Sequence, residues 1–219
     1  MLDSVVEQLK SDDPTLRMRA ARELGNRRNK NAIGPLIDAL NDRNRHVRRA
    51  ASQALGQVRD KSAIIPLCHA LGDPDWFVRW NAALALGLIH DEGAVECLIN
   101  ASSDPNRYVR RNVAEALGNI KSKRATGALI QSLQDSDIDV RWNAADALGM
   151  LKDGRAIEPL MRALADEDEF VRERSANALG LIGDSSVIPS LEQALRDGNS
   201  DVRQTAQEAL ERIIKRSQS

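Results

Sequence analysis

The sequence contains few residues of several types, and each scarcity argues against a class of protein. Its two cysteines, Cys68 and Cys97, are too few for a disulfide framework and are typical of a reducing compartment. No stretch approaches the roughly 18 continuous apolar residues of a membrane span. The N-terminus has no basic segment leading into an apolar run, so we expect a cytoplasmic protein.

Aromatic residues are also scarce, at 3% of the chain, whereas 29% of the residues are charged. This composition, with its recurring blocks of alanine and leucine, favours helices over a β-sandwich or barrel. The formal net charge of -1 gives no global reason to expect nucleic-acid or membrane binding. Lys and Arg outnumber Asp and Glu 13 to 8 in residues 1–65 and are outnumbered 11 to 17 in residues 134–219. The chain is therefore expected to be dipolar.

A 31-residue period runs through the whole sequence. One arginine per period marks it: Arg17, Arg48, Arg79, Arg110, Arg141, Arg172 and Arg203. Leucine follows each arginine seven residues later, and glycine follows that leucine in every copy except the last, which has Glu211. Repetition of this length and regularity is typical of solenoid proteins.

Each period contains the pattern of two helices. In the first, helix A, the residues Val78, Ala82, Ala85, Leu86 and Ile89 follow the i, i+4, i+7, i+8 spacing of one helix face. An Asp or Asn stands four residues before each periodic arginine, where its side chain can cap the helix: Asp13, Asn44, Asp75, Asn106, Asp137, Asp168 and Asn199.

A second apolar set in each period, such as Ile157, Leu160 and Leu164, marks helix B. Neither helix can bury its apolar face alone, but stacked pairs bury a continuous core. The predicted fold is therefore all-α: one α-α superhelix spanning residues 1–219. We expect a helix-B half-repeat over residues 1–10, six full repeats over 11–196, and a helix A with a polar tail over 197–219.

The runs DPDWFVRWNAALALGLIHDEGAVECLI and DIDVRWNAADALGMLKDGRAIEPLMRAL resemble the short HEAT-like repeat first named from phycobilisome lyases. The resemblance covers nearly the whole chain. It implies a HEAT or armadillo-like solenoid in which helix A lines the concave side. It does not imply one function, because the same scaffold serves lyases, hydroxylases, glycosylases and adaptors.

The sequence offers no catalytic constellation. The periodic arginines recur in every copy beside an acidic series (Asp42, Asp73, Asp104, Asp135, Asp166, Asp197), which predicts a structural ladder between neighbouring repeats. His46, His69 and His90 lie at unrelated phases, and no His-Glu dipeptide of the related iron hydroxylases exists. We predict no catalytic residue, no metal site and no cofactor, and we interpret the two cysteines as small core residues.

The placement of the six aromatic residues is more informative. Trp76, Phe77, Trp80, Tyr108, Trp142 and Phe170 all lie within four residues of a periodic arginine on helix A. On a helical wheel, Phe77, Trp80 and Leu84 fall opposite the predicted core face. An aromatic and leucine stripe that faces away from the core predicts a binding surface.

Two further positions extend this stripe across the central repeats. The residue after the arginine alternates between tryptophan and arginine, and the next residue is always asparagine: Trp80, Arg111 and Trp142, followed by Asn81, Asn112 and Asn143. The indole and guanidinium planes could stack, and the amides could pair with the backbone of an extended peptide.

The predicted function is a non-enzymatic scaffold that binds a protein or extended peptide in its groove, and we expect a monomer. The predicted partner-binding residues are Phe77, Trp80, Asn81, Leu84, Tyr108, Arg111, Asn112, Trp142, Asn143 and Phe170. One alternative is a phycobilin lyase or phycobilisome-degradation factor. A third, less expected, is nucleic-acid binding through Arg27, Arg28, Arg43, Arg45, Arg48 and Arg49.

Overall fold

The computed structural model describes residues 2–217, with Leu2 and Asp3 described as backbone only, and this part of the chain is helical without strands. The A helices are α2 Pro14–Asn26, α4 Arg45–Val58, α6 Trp76–Ile89, α8 Arg107–Ile120, α10 Ile138–Leu151, α12 Glu169–Ile182 and α14 Ser200–Ser217. The B helices are α1 Leu2–Gln8, α3 Ile33–Asp38, α5 Ile64–Ala70, α7 Val95–Ala101, α9 Thr126–Ser132, α11 Ile157–Ala163 and α13 Ile188–Ala194. The all-α repeat fold predicted from the period is confirmed.

The A helices begin where the periodic Asp or Asn residues predict. In six copies the side chain accepts a hydrogen bond from a backbone N–H of the first helical turn, for example Asp75 Oδ1 from Phe77 N at 3.1 Å. Asp137 is the exception, since its side chain makes no capping hydrogen bond to α10. The prediction of a side-chain cap in every copy is therefore wrong at Asp137.

The chain divides into two compact units, Met1–Ala116 and Leu117–Ser219. In the first, α4 packs between α2 and α6, while α1, α3 and α5 pack against α2, α4 and α6. In the second, α12 packs between α10 and α14, while α9, α11 and α13 pack against α10, α12 and α14. Within each unit one leucine of every complete repeat's A helix and one of its B helix is fully buried, and these leucines form the core: Leu24, Leu36, Leu55, Leu67, Leu86, Leu98, Leu117, Leu129, Leu148, Leu160, Leu179 and Leu191.

The last A helix, α14, continues through Ser217 and so includes polar residues near the end of the chain. Its buried residues Val202, Ala206, Ala209, Leu210 and Ile213 keep one helical spacing to the end, which explains the extension.

Arginine–aspartate pairs connect successive repeats, as the sequence predicts. In each pair, arginine Nε and Nη2 donate to the two carboxylate oxygens of an aspartate 25 residues later, at 2.6–3.0 Å. The pairs are Arg17–Asp42, Arg48–Asp73 and Arg79–Asp104 in the first unit, and Arg141–Asp166 and Arg172–Asp197 in the second. Because the same contact recurs in both units, it belongs to the scaffold.

The periodic glycines mark close approaches between consecutive A helices. A Cβ added to Gly56 of α4 would lie 2.8 Å from both Cα and Cβ of Ala85 on α6. The same glycine-to-alanine approach recurs at Gly25–Ala54 and Gly87–Ala116 in the first unit, and at Gly118–Ala147, Gly149–Ala178 and Gly180–Ala209 in the second. Glycine is required here because the neighbouring helix leaves no room for a methyl group.

This packing predicts that Gly56→Ala destabilises the protein although alanine favours helices. The added methyl group must displace the backbone of α6, at a cost of about 1–3 kcal/mol in the free energy of unfolding. Urea denaturation measures the change. Gly34→Ala is the matched control, because nothing lies within 4 Å of a Cβ added to Gly34. We expect that control to be neutral or stabilising by up to about 1 kcal/mol. Equal stability of the two variants would contradict the packing argument.

The two cysteines are bonded to each other, which corrects the prediction that they are separate core residues. Cys68 of α5 and Cys97 of α7 form a disulfide with a Cα–Cα distance of 5.6 Å. Both residues are half-buried at the junction between two B helices. The cysteines therefore no longer support the expectation of a cytoplasmic protein, because that argument assumed free thiols in a reducing compartment.

Candidate protein-binding surface

Four aromatic rings form a continuous cluster in the first unit, which we call the aromatic strip: Trp76, Phe77, Trp80 and Tyr108. The rings of Phe77 and Trp80 stack with centroids 5.1 Å apart and planes 12° apart. The Trp76 ring packs edge-to-face with Phe77, with centroids 5.3 Å apart, and its centroid lies 5.6 Å from that of Tyr108. Trp76 and Tyr108 are each 39% exposed, whereas Phe77 and Trp80 are half-buried. Both helices that carry the strip, α6 and α8, present it from their first turns.

Arg49 of α4 fixes one end of the strip. Its guanidinium carbon lies 4.7 Å from the centroid of the Phe77 ring. Its Nε and Nη2 donate to the two oxygens of Asp75 at 2.8 and 2.7 Å. The hydrogen bonds from Arg49 hold the pKa of the Asp75 carboxyl below its usual range, against the opposing effect of burial. Asp75 therefore stays ionised and holds the guanidinium group over the Phe77 ring.

Arg107 plays a similar part at the other end. Its guanidinium carbon lies 4.9 Å from the centroid of the Tyr108 ring. One of its nitrogens donates to the Tyr108 hydroxyl at 3.0 Å. The strip is therefore a row of rings with a guanidinium group packed at each end, a combination that is enriched in protein interfaces.

The asparagine positions do not belong to this surface, which corrects their predicted role. Asn81 is 4% exposed and its amide nitrogen donates to the carbonyl of Phe77 at 2.7 Å. Asn143 is 6% exposed and donates to the carbonyl of Asp139 at 2.7 Å. Asn112 is buried at the same repeat position. The asparagines face the packed side of the helix and cannot reach a peptide backbone.

Leu84 and Arg111 are half-buried on α6 and α8. The guanidinium groups that pack on rings in this unit are those of Arg49 and Arg107, and not that of Arg111, for which the sequence predicts this role. Trp76 is also missing from the predicted binding residues, although it bridges Phe77 and Tyr108. The sequence does contain a feature that could have identified Trp76 as a binding residue, because it is one of only six aromatic residues in the chain.

The predicted residues Trp142 and Phe170 lie in the second unit. Trp142 is half-buried, its indole nitrogen donates to Asp139 Oδ1 at 3.2 Å, and Arg174 lies 5.8 Å from its ring centroid. Arg174 also lies 3.5 Å from Asp146, whose pKa is raised by burial. Phe170 is 55% exposed, and no ring contact joins it to Trp142 within the described part of this unit.

Between residues 2 and 217, no group of three or more His, Cys, Asp or Glu side chains is arranged to hold a metal ion. In the same range, no helix is both long and apolar enough to cross a membrane.

Comparison with protein families explains the repeated architecture. A family model described as HEAT repeats matches residues 2–79, 66–137 and 126–211. The chain belongs to the HEAT-repeat family. No curated protein matches this HEAT-repeat chain significantly.

Solved structures with similar folds include proteins of different kinds. The E. coli protein YibA is 25% identical with a TM-score of 0.71, over 96% of this chain and 81% of that one. The complex of CpcE and CpcF of phycocyanin lyase from Nostoc sp. PCC7120 is 25% identical with a TM-score of 0.63, over 97% and 94%. A computationally designed armadillo repeat protein for modular peptide recognition is 23% identical with a TM-score of 0.55, over 97% and 99%, and shows the shared fold alone.

Proposed function

We propose that this HEAT-repeat chain is a non-enzymatic scaffold that binds a segment of another protein on the aromatic strip. The observation that carries the proposal is the exposure of Trp76 and Tyr108 in contact with each other on the surface of the first unit. Aromatic residues in a contiguous exposed patch are the usual anchors of protein interfaces.

The geometry of the strip supports this function in a second way. Phe77 is enclosed by Arg49, Trp80 and Trp76, and the Arg49 guanidinium group is fixed by Asp75. Because these side chains already occupy one arrangement, a partner does not have to order them, and the entropic cost of binding falls.

A random peptide library displayed on phage tests the proposal. Peptides selected on the wild-type chain are titrated by fluorescence anisotropy against Trp76→Ala. We expect at least about a 30-fold loss of affinity, which corresponds to the roughly 2 kcal/mol of an interface hot spot.

Ile65→Ala is the matched control for that experiment. Ile65 is 69% exposed on α5, in the same unit but on a B helix, so its loss removes exposed apolar surface away from the strip. Selected peptides that bind Trp76→Ala and wild type equally, with both proteins folded by circular dichroism, would contradict the proposal.

A second candidate is a lyase that attaches a bilin chromophore, and the similarity to the phycocyanin lyase complex favours it. Incubating the chain with a bilin and a phycocyanin apoprotein tests this activity. A visible absorbance change on transfer would favour the lyase, whereas an unchanged spectrum would remove this candidate.

A further inference from the structure

We infer that a cluster of cations in the second unit, which we call the basic patch, binds the surface of an anionic lipid bilayer. The basic patch consists of five residues in the two loops that follow α8 and α10: Lys121, Lys123, Arg124, Lys152 and Arg155. It is separate from the aromatic strip, so this inference goes beyond the proposed scaffold function and does not depend on it.

The two loops of the basic patch lie side by side and are exposed. Arg155 Nη2 donates a hydrogen bond to the backbone carbonyl of Lys123 at 2.7 Å, which joins the loop after α10 to the loop after α8. All five cations are exposed. Nothing lies within 4 Å of a Cβ added to Gly127 or Gly154, so the surface beside both loops is open. An open surface of this kind is suited to contact with a flat partner.

Few acidic residues lie near the patch in the sequence. Residues 117–134 contain no Asp or Glu, and residues 147–157 contain only Asp153. Asp153 is 7% exposed and accepts hydrogen bonds from Arg155 and from the Thr126 hydroxyl, so its charge is compensated inside the scaffold. The second unit as a whole has 14 Lys and Arg and 17 Asp and Glu. The patch is therefore a local basic feature of an acidic unit.

Three lysines supply charge that the scaffold does not use. Among the residues that the structure describes, the side chains of Lys121, Lys123 and Lys152 have neither a hydrogen-bond nor an ion-pair partner. Lys121 and Lys152 end A helices at φ angles of 60° and 49°, a conformation that glycine adopts more easily, as Gly183 does in the next repeat. The helix dipole favours a cation there, but it disfavours Lys123 in the turn that precedes α9. Local structure alone thus does not explain the cluster, which indicates a binding role.

An exposed methionine lies beside these lysines. Met150 is 43% exposed in the last turn of α10, two residues before Lys152. Its sulfur lies 3.5 Å from a Cβ added to Gly118 on α8, three residues before Lys121. An apolar side chain gains little from contact with a phosphodiester or carboxylate chain. At a bilayer, it can enter the boundary of the acyl chains while the lysines stay among the headgroups.

A bilayer surface fits the patch better than a nucleic acid does. The aromatic residues of the second unit are Trp142 and Phe170, and both lie near the starts of A helices, whereas the patch lies at the ends of A helices. The patch therefore has no ring on which a base could stack. Clusters of about four to eight Lys and Arg residues are typical of surfaces that bind anionic lipids.

Co-sedimentation with lipid vesicles tests the inference. The wild-type chain should sediment with vesicles of equimolar phosphatidylserine and phosphatidylcholine, and it should stay in solution with vesicles of phosphatidylcholine alone. Lys121→Gln with Lys152→Gln should lower the partition coefficient about 25-fold, because each basic residue near an anionic surface contributes about fivefold. Met150→Ser should lower it about threefold, because less apolar surface enters the bilayer.

Arg162→Gln with Arg196→Gln is the matched control. It removes the same charge from two exposed positions, one in the last turn of α11 and one just after α13. With folding verified by circular dichroism, this variant should bind vesicles like the wild type. Trp76→Ala should also bind vesicles like the wild type, so failure of the scaffold function and failure of this inference can be distinguished.

Three results would overturn the assignment to a bilayer. The first is a wild-type chain that does not bind the phosphatidylserine vesicles. The second is an equal loss of binding in the two double variants, which would show that only net charge matters. The third is tighter binding to polyglutamate or to duplex DNA than to the vesicles, with no effect of Met150→Ser on either.

Discussion

Replacing Arg79 with alanine should lower the free energy of unfolding by about 3 kcal/mol. Arg79 forms two hydrogen bonds to Asp104, whose side chain is 6% exposed, and a third to the carbonyl of Asp73 at 2.8 Å. The substitution leaves the buried carboxylate of Asp104 without a cation, although it keeps the hydrogen bond from Asn106 N. Urea denaturation followed by circular dichroism measures the loss.

Arg203→Ala is the matched control, because Arg203 occupies the same repeat position in the last copy. Arg203 is exposed and donates to the backbone carbonyls of Asp197 and Gly198 at 2.7 and 3.0 Å. Its replacement should cost less than about 1 kcal/mol. If both substitutions cost the same, the bond to the next repeat's carboxylate is not what stabilises the ladder.

Breaking the Cys68–Cys97 bond should cost about 3.5 kcal/mol, from the loop-closure entropy of two residues 29 positions apart. The bond closes a loop that contains all of α6, and with it Trp76, Phe77 and Trp80. Cys68→Ala with Cys97→Ala, and reduction of the wild-type chain, should lower the urea midpoint by similar amounts. Mass spectrometry after thiol alkylation reports which form is present.

The alanine double variant provides the internal control for reduction. A reducing agent should shift the unfolding of the wild-type chain and leave the double variant unchanged. If reduction leaves the wild-type midpoint where it was, while alkylation shows that both thiols are free, the bond contributes nothing to stability.

The sequence predicts well whatever depends on one repeat or on equivalent positions. Helix starts follow from Asp13 and its counterparts because capping is a local interaction. The buried leucines follow from the apolar spacing, and the ladder follows from two charged series with the same period. These features need no knowledge of which faces of neighbouring helices meet.

Contacts between non-equivalent positions are harder to predict. Cys68 and Cys97 are 29 residues apart and Trp76 and Tyr108 are 32 apart, so an alignment at 31 residues places neither pair together. They meet because a helix touches the next repeat with one side and the previous repeat with the other. Gly56 and Ala85, also 29 apart, follow the same geometry in the A helices.

The asparagines show that the direction in which a periodic side chain points is also hard to predict from the sequence. Asn81 follows Trp80 by one residue, a rotation of about 100° around the helix axis. That step moves the side chain from the surface to the packed side, where it bonds to Phe77 of its own helix. A periodic pattern alone could not distinguish these two directions.

The Gly–Ala approaches and the Arg–Asp pairs recur at the same repeat positions, so successive repeats within each unit are joined by the same contacts. Because the Gly–Ala approaches and the Arg48–Asp73 and Arg79–Asp104 pairs occupy fixed repeat positions, a protein engineer could vary exposed residues elsewhere, such as Trp76, and leave these contacts in place. New surfaces can then be assembled on this scaffold by moving side chains between repeats, with no redesign of the core.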